Sequence, residues 1–501
     1  MQLMSRRRVT TVTAGLMLSL FLASMETTVV ATAMPTIVGQ LGGMAIYSWA
    51  FSAYMLAATT TVPIYGKLSD LFGRRRVYAF AMGLFLAGSL LCATARTMPQ
   101  LVTFRAVQGL GAGGLIPLVF IMIGDLFTFE QRARIQGLFS GVWGVSSILG
   151  PLLGGFLVDR VNWQWIFYLN LIPGLVAATL VWAGWRDAAR EPGATAAAVD
   201  YAGAGLLTAG VVALLLGLSD PGTFSSWGLL FAALVLFALL AWVEKRAADP
   251  VLPLRLFRDR LFAVGCVHGL FSGWALFGSV AFVPLYVQTV MGTSATTAGS
   301  TLTPLLLAWV TSSILGSRLL LRVGYRGLAM AGTSLLALGA FLLWQISISG
   351  GQVNLMIALA LMGIGMGLSI PAYLIAMQSS VRRSVLGTAT STLQFSRSIG
   401  GTLGVSIMGA SLSLRLVSAL NKAGLDPGTV SLDRLLDPLA RSTSGGAVDQ
   451  SLRALLGGAI QGVFIIAFVA AALSLAATAL APGGRIAQLA ARRAEAESLG
   501  S

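Results

Sequence analysis

Apolar stretches of about 20 residues, the length that crosses a bilayer as a helix, follow one another along almost the whole chain. They limit the fold more than any other feature. Within hydrocarbon no water satisfies backbone N–H and C=O groups, so a spanning segment must close its own hydrogen bonds, as a helix does. The 501 residues are 56% hydrophobic and only 10% charged, whereas a water-facing domain carries about a quarter charged residues. The expected fold class is an all-α, multi-pass membrane protein. An "ATA" at 31–33 resembles a leader-cleavage site, but the apolar run around it is too long and more follow, so the first run reads as a retained helix.

The net charge of +15 raises nucleic-acid binding as a possibility, and the placement of the charge argues against it. Basic residues cluster at Arg6–Arg8, Lys67 with Arg74–Arg76, Arg132 and Arg134, and Arg186 and Arg190. The series continues with Lys245–Arg260, Arg318–Arg326, Arg382 and Arg383, and Arg485–Arg493. These fall in every second connection between apolar runs. That is the positive-inside pattern, which makes those connections cytoplasmic and predicts an even number of spans with both termini inside. No nucleic-acid partner is expected; the bilayer is.

Setting the apolar runs against these connections predicts fourteen helices. Six lie at about 12–34, 46–66, 77–95, 99–124, 135–158 and 164–184, a pair at about 201–219 and 227–243. Six more follow at about 262–287, 298–317, 327–347, 354–378, 387–411 and 457–481. The domains expected are an N-terminal six-helix bundle over 1–185, linkers with an inserted pair over 186–260, and a C-terminal six-helix bundle over 261–485. A tail at 486–501 completes the chain. An outer loop at 412–456 is either a passive cap or a docking element for a partner. Trp163, Trp165, Trp185, Trp227 and Trp242 suit interfacial anchors. "GKLSDLFGRRR" after the second run and "GSRLLLRVGYR" after the tenth form a weak internal repeat, offset by one residue.

Enzyme signatures are missing. One histidine excludes a His-based metal cluster, and neither HExxH nor GxxxxGK[ST] occurs. No metal, cofactor or catalytic role is expected. "GLGAGG" at 109–114 fits GxGxxG, but it lies inside an apolar run without a preceding strand, so its small residues read as helix packing. Cys92 and Cys266 read as small core residues.

Charges within the runs are few. Glu26 is the one acid in mid-span, Asp125 sits at a helix end, and Arg105, Arg397 and His268 are the bases. A carboxylate in hydrocarbon is costly and kept mainly where it works. Glu26 is therefore either a buried partner for an arginine such as Arg105 or a carboxylate that loads and unloads protons. His268 is a satisfied core histidine or a relay. "GVWGVSSILGPLLGGFL" joins Gly150 and Gly154 with Pro151, a spacing that permits close helix approach. The candidate cavity aromatics are Tyr54, Trp274, Trp309 and Tyr373.

Four motifs in order are similar to those of the major facilitator superfamily, in its fourteen-helix drug:proton antiporter branch. "GKLSDLFGRRR" matches at Gly66, Asp70, Gly73, Arg74 and Arg75. "RAVQGLGAGG" matches through Arg105, Gln108 and Gly109. "GPLLGG" (Gly150, Pro151, Gly154, Gly155) resembles the helix-five antiporter motif and "METTVVATAMPTI" the helix-one motif, with Glu26 where the branch usually has Asp. The resemblance implies two six-helix bundles plus an inserted pair. It implies a latch of Asp70 and Arg74 with Asp125, and a proton site at Glu26 tuned by Arg105. The implied function is proton-coupled export of hydrophobic small molecules, cationic ones included, by a monomer in the plasma (inner) membrane, with protons as coupling ion and no cofactor. The alternatives are a dedicated exporter of one natural product or lipid, and a non-transporting sensor or scaffold.

Overall fold

The computed structural model describes residues 5–41, 49–187, 200–219, 224–247, 250–252, 254–291, 295–346, 351–382, 385–422 and 446–484. The described regular structure is helical. The helices are α1 (Arg6–Leu41), α2 (Trp49–Phe72), α3 (Arg74–Ala93), α4 (Met98–Leu126), α5 (Phe129–Arg160), α6 (Trp165–Tyr168), α7 (Leu171–Gly184), α8 (Tyr201–Ser219) and α9 (Phe224–Glu244). After a 3₁₀ turn at Leu254–Arg258 come α10 (Arg260–Thr289), α11 (Ala295–Val323), α12 (Tyr325–Trp344), α13 (Gln352–Ser380), α14 (Leu386–Lys422) and α15 (Gly446–Ala479).

Among the described residues, eleven segments are long and apolar enough to cross a membrane. α6 and α7 together form one of them, over Trp165–Gly184. The helices outside that set are α2, α5 and α8. α2 contains Lys67, Asp70 and three consecutive threonines, α5 begins with charged residues, and the apolar stretch of α8, Ala202–Leu218, is shorter than the others. The expected outer loop at 412–456 is narrower than its sequence suggested. α14 continues to Lys422 and α15 begins at Gly446, so helix enters the loop from both sides. At 37 residues, α14 is roughly 55 Å long and outruns a hydrocarbon core of about 30 Å. The amphipathic "LDRLLDPLARS" lies outside the described residues, as does the tail at 486–501.

Helix packing repeats itself along the chain. α1 lies on α5 and α7, α2 on α4, and α3 on α4. In the same pattern, α10 lies on α14 and α15, α11 on α13, and α12 on α13. The joints match as well. Gly73 caps α3 at φ +90°, and Gly324 caps α12 at φ +86°. That backbone region strains residues with a Cβ, and it turns the chain sharply at equivalent places in both copies. α2 meets α14 and α5 meets α11 between the copies, while α8 and α9 pair with each other and α8 touches α2 and α14. Exposed Trp227, Phe231 and Leu234 on α9 give this pair a lipid-compatible outer face.

Of the tryptophans expected as interfacial anchors, Trp165, Trp227 and Trp242 are exposed, but Trp163 and Trp185 are buried. Their indole N–H groups explain the difference: Trp163 donates to Gln40 Oε1 at 2.9 Å and Trp185 to Asp187 Oδ1 at 2.9 Å. Cys92 and Cys266 are free and buried.

"GLGAGG" acts as a two-sided packing element. A Cβ on Gly109 or Gly113 would strike the α2 backbone at Tyr54 or Ala58. One on Gly111 would strike α3 at Phe85 and Ala81. α4 is thus pressed between two helices at backbone distance. Gly111→Leu is expected to lower the thermal midpoint of the purified protein by several degrees, since overpacking costs about 1–3 kcal/mol. Gly83→Leu, where a Cβ meets nothing within 4 Å, should leave it unchanged; a fluorescence melt of the two variants checks this.

Candidate functional site

The N-terminal repeat buries a charged network. Glu26 on α1 and Arg105 on α4 are each 1% exposed. Arg105 Nη1 donates to Glu26 Oε1 at 2.5 Å and to Gln108 Oε1 at 2.8 Å, and Nε donates to the Ala50 carbonyl at 3.2 Å. The guanidinium lies over the Tyr54 ring at 4.1 Å. The other Glu26 oxygen accepts from Asn170 Nδ2 at 2.6 Å, and the same nitrogen donates to Ser89 Oγ at 2.9 Å. Ser89 in turn donates to the Phe167 carbonyl at 3.0 Å and accepts from Gln108 Nε2 at 3.2 Å.

Each Glu26 oxygen therefore accepts a strong donor, an arrangement suited to the anionic carboxylate. Two ions out of water are stabilised only when geometry is good and the remaining hydrogen-bond capacity is used. Much of it is used here: Ala50 of α2, Gln108 of α4 and Asn170 of the α6–α7 break bond the pair, and Ser89 of α3 bonds Gln108 and Asn170, while Asn170 Oδ1 has no partner among the described residues. Asn170 stands between Tyr168, the end of α6, and Leu171, the start of α7. The sequence reading missed it. Its only signal was a lone Asn in the apolar run "FYLNLIPG".

A second network lies where α2 ends. Asp70 accepts from Gly387 N at 3.1 Å and from Thr388 N and Oγ1, both at 2.7 Å. Those donors form the first turn of α14, whose free N–H groups and dipole favour an anion. Arg74 bridges Asp70 at 2.5 Å and Asp125 on α4 at 3.0 Å, and donates to Ser69 at 3.0 Å. Asp70, Arg74 and Asp125 are therefore brought together, and the two repeats are joined through α14. Gly66 faces Ser391 and the Gly387 backbone so closely that a Cβ would not fit. Asp187, which sequence reasoning also missed, accepts from Arg74 N at 2.8 Å and Arg75 N at 3.3 Å. It thereby satisfies the start of α3, beside Gly73.

In α5, Gly150 faces Thr28 and the Met25 carbonyl of α1, and Gly154 is buried. Pro151 and Gly155 belong to the same helix. Ser24 and Ser146 link α1 to α5 at 2.5 Å. The four candidate cavity aromatics do not converge. Tyr54 covers Arg105, Trp274 stacks on Phe271, and Tyr373 packs on His268 with ring centroids 4.7 Å apart. Trp309 joins the C-terminal apolar core on α11. His268 Nδ1 pairs with Ser474 Oγ at 2.8 Å. Among the described residues no cluster of metal-binding side chains occurs.

Apolar helices repeated in two packed copies, with charges buried inside one copy and bridging both, define a multi-pass membrane transporter. The chain belongs to the Major Facilitator Superfamily, whose sequence model matches residues 16–405. It is 39% identical over 407 residues to the multidrug transporter protein MdtP of Bacillus subtilis, covering 80% of this chain and 75% of that protein. It is 35% identical over 418 residues to multidrug resistance protein 3 of the same organism, covering 82% and 81%. Its fold resembles that of the proton:xylose symporter XylE, with TM-score 0.60 at 14% identity, covering 91% of this chain and 94% of that one.

Arg105→Met would leave Glu26 buried without its guanidinium. Breaking one side of such a pair costs about 3–5 kcal/mol, so a large drop in the thermal midpoint is expected. Adding Glu26→Gln should restore most of it. The check is a melting cycle of the wild type, both single variants and the double variant.

Proposed function

We propose that this transporter is a proton-coupled exporter of hydrophobic small molecules, working as a drug:proton antiporter by alternating access. The observation that carries the reading is the Glu26–Arg105–Asn170 network: a mid-span carboxylate, fully partnered as an anion and buried within a helical repeat. Relatives named as efflux pumps support the export direction. In this reading α2, α5 and α8 also cross, giving fourteen spans. Two six-helix bundles over 1–185 and 261–485 rock about the site, and residues 186–260 carry the inserted pair. Both termini lie in the cytoplasm of a cell bounded by the plasma (inner) membrane, and the unit is a monomer.

The cycle follows from competition for Glu26. With the Asp70 latch closed, the cytoplasmic end is sealed and Glu26 is held by Arg105. A proton arriving from outside takes one carboxylate oxygen, and Arg105 loses its ion-pair partner. Protonation thus changes the relative stability of the two access states, which coupling requires. Opening the latch, by withdrawing Asp70 from α14, then exposes the site to the cytoplasm, where the proton leaves and substrate enters.

Glu26→Gln is expected to insert normally and to lose efflux driven by an imposed pH gradient in inverted vesicles. Full gradient-driven transport by this variant would move the coupling elsewhere. Asp70→Asn removes the charge from three bonds to α14 and Arg74. It should slow transport about tenfold, the scale of one charged hydrogen bond, while substrate affinity stays within about twofold. Paired rate and equilibrium-binding measurements would separate these effects.

A further inference from the structure

The C-terminal repeat has a charge problem that the N-terminal one has solved. No Asp or Glu occurs between Arg260 and Leu425, a stretch that includes α10 to α14. Arg397 nevertheless sits within α14, three turns past its start. Among the described residues it has no ion pair or hydrogen bond, in contrast to Arg105 in the other repeat. An uncompensated guanidinium deep in a membrane protein is costly and tends to mark a site.

Its surroundings are rich in unused hydrogen-bonding groups. α10 presents Gly265, Gly269 and Gly273 to α14. They lie beside Leu393, the Arg397 backbone and, at Gly273, the Arg397 side chain. On the same stretch of α10, His268 Nε2 and Trp274 Nε1 are buried and unpartnered, as is Gln394 Nε2, one turn before Arg397 on α14. His268 is 2% exposed and Gln394 5%. His268 and Trp274 are separated by about 9 Å of helix rise. Trp274 and Gln394 are donors only at these nitrogens, and Arg397 cannot accept. Phe271 and the Tyr373 ring provide apolar surface alongside.

We infer that Arg397, with Gln394, Trp274 and His268, forms a subsite for the acidic head of an amphipathic organic anion, whose apolar body lies along Phe271 and Tyr373. This specifies the substrate class of the exporter and rests on that reading for its physiological meaning. It moves the expected cargo from cations toward carboxylates. A carboxylate supplies the negative charge the repeat lacks and accepts from a guanidinium in a paired fork, as no neutral or cationic head does. The substrate head and the coupling proton then occupy different repeats, the first on a cation and the second on an acid.

The test is binding to the purified full chain in phosphatidylcholine nanodiscs, which needs no transport. The probes are 1-pyrenebutyrate and its uncharged counterpart 1-pyrenebutanol. Wild type is expected to bind the carboxylate about tenfold more tightly than the alcohol, the scale of one charged hydrogen bond. Arg397→Ala should abolish that preference while alcohol binding stays within about twofold, and Arg397→Lys, which keeps the charge without the paired fork, should keep part of it. Trp274→Phe retains the ring, guards against misfolding at Arg397, and should weaken only the carboxylate, by severalfold. Equal affinity for the two probes in wild type, or equal losses for both in Arg397→Ala, overturns the assignment. So does displacement of pyrenebutyrate when phosphatidylglycerol is added to the nanodiscs, which would give the site to a lipid headgroup. Glu26→Gln should leave the preference intact: lost gradient-driven transport with retained binding separates this site from the coupling mechanism, and a failure of coupling leaves the binding result standing.

Discussion

A charge removed from water must find a partner, and in a chain this apolar that requirement organises what the apolar runs alone leave open. Burial drives each helix into the bilayer without saying which helices adjoin. The Glu26–Arg105 pair does say so, because it can form only if α1 and α4 face each other at one depth. Asn170 and Ser89 then bring in the α6–α7 break and α3. Individual apolar contacts can slide by a residue at little cost, but a buried ion pair with this many fixed hydrogen bonds cannot. The network thus sets the register of the N-terminal repeat, and the same groups remain available for chemistry.

The two networks differ in what they fasten. Glu26 and its partners lie within one repeat, so the repeat can move without disturbing them. Asp70 spans two repeats, and its partners on α14 are mostly backbone N–H groups of a helix start. Such a contact is strong when aligned and lost as a unit when the helix shifts, which suits the opening joint proposed above. The close approach at Gly66 and Gly387 brings the carboxylate to that distance. A larger side chain at either glycine would part the helices before Asp70 could reach.

Much of this was legible in the sequence, for identifiable reasons. Hydropathy and the spacing of basic clusters are local signals, and they located the helix ends to within about seven residues, except that α14 and α15 run about eleven residues further into 412–456. Glu26, Arg105, Asp70 and Asp125 were visible because charge is rare in these runs. Their neutral partners were not. Asn170 is 144 residues from Glu26, and an asparagine between apolar residues looks the same whether it caps, faces lipid or binds a carboxylate. Thr388 gave no signal either, because half of its contribution is a backbone N–H that every residue but proline has, and the other half is a hydroxyl 318 residues from Asp70 in the chain. Trp163 and Trp185 misled for a related reason: an indole suits the membrane interface and a buried acceptor equally well.

The repeats share helix order, glycine joints and packing partners, but not electrostatics. In the N-terminal copy acid and base are both present and neutralise each other. In the C-terminal copy the acids are gone over the whole stretch from Arg260 to Leu425, while Arg397 remains. Duplicated architecture with unlike charge is what a two-ligand machine needs, since a proton and a bulky solute are not recognised by the same groups. If both competed for one carboxylate, tight substrate binding would require an ionised acid and coupling would be limited by a single group. On the proposed reading, an acid in one copy and a cation that is unpaired among the described residues in the other remove that limit, because each site can be tuned without detuning the other. On that reading, coupling passes through the joint between the copies, where Asp70 accepts from Thr388, nine residues before Arg397 on α14.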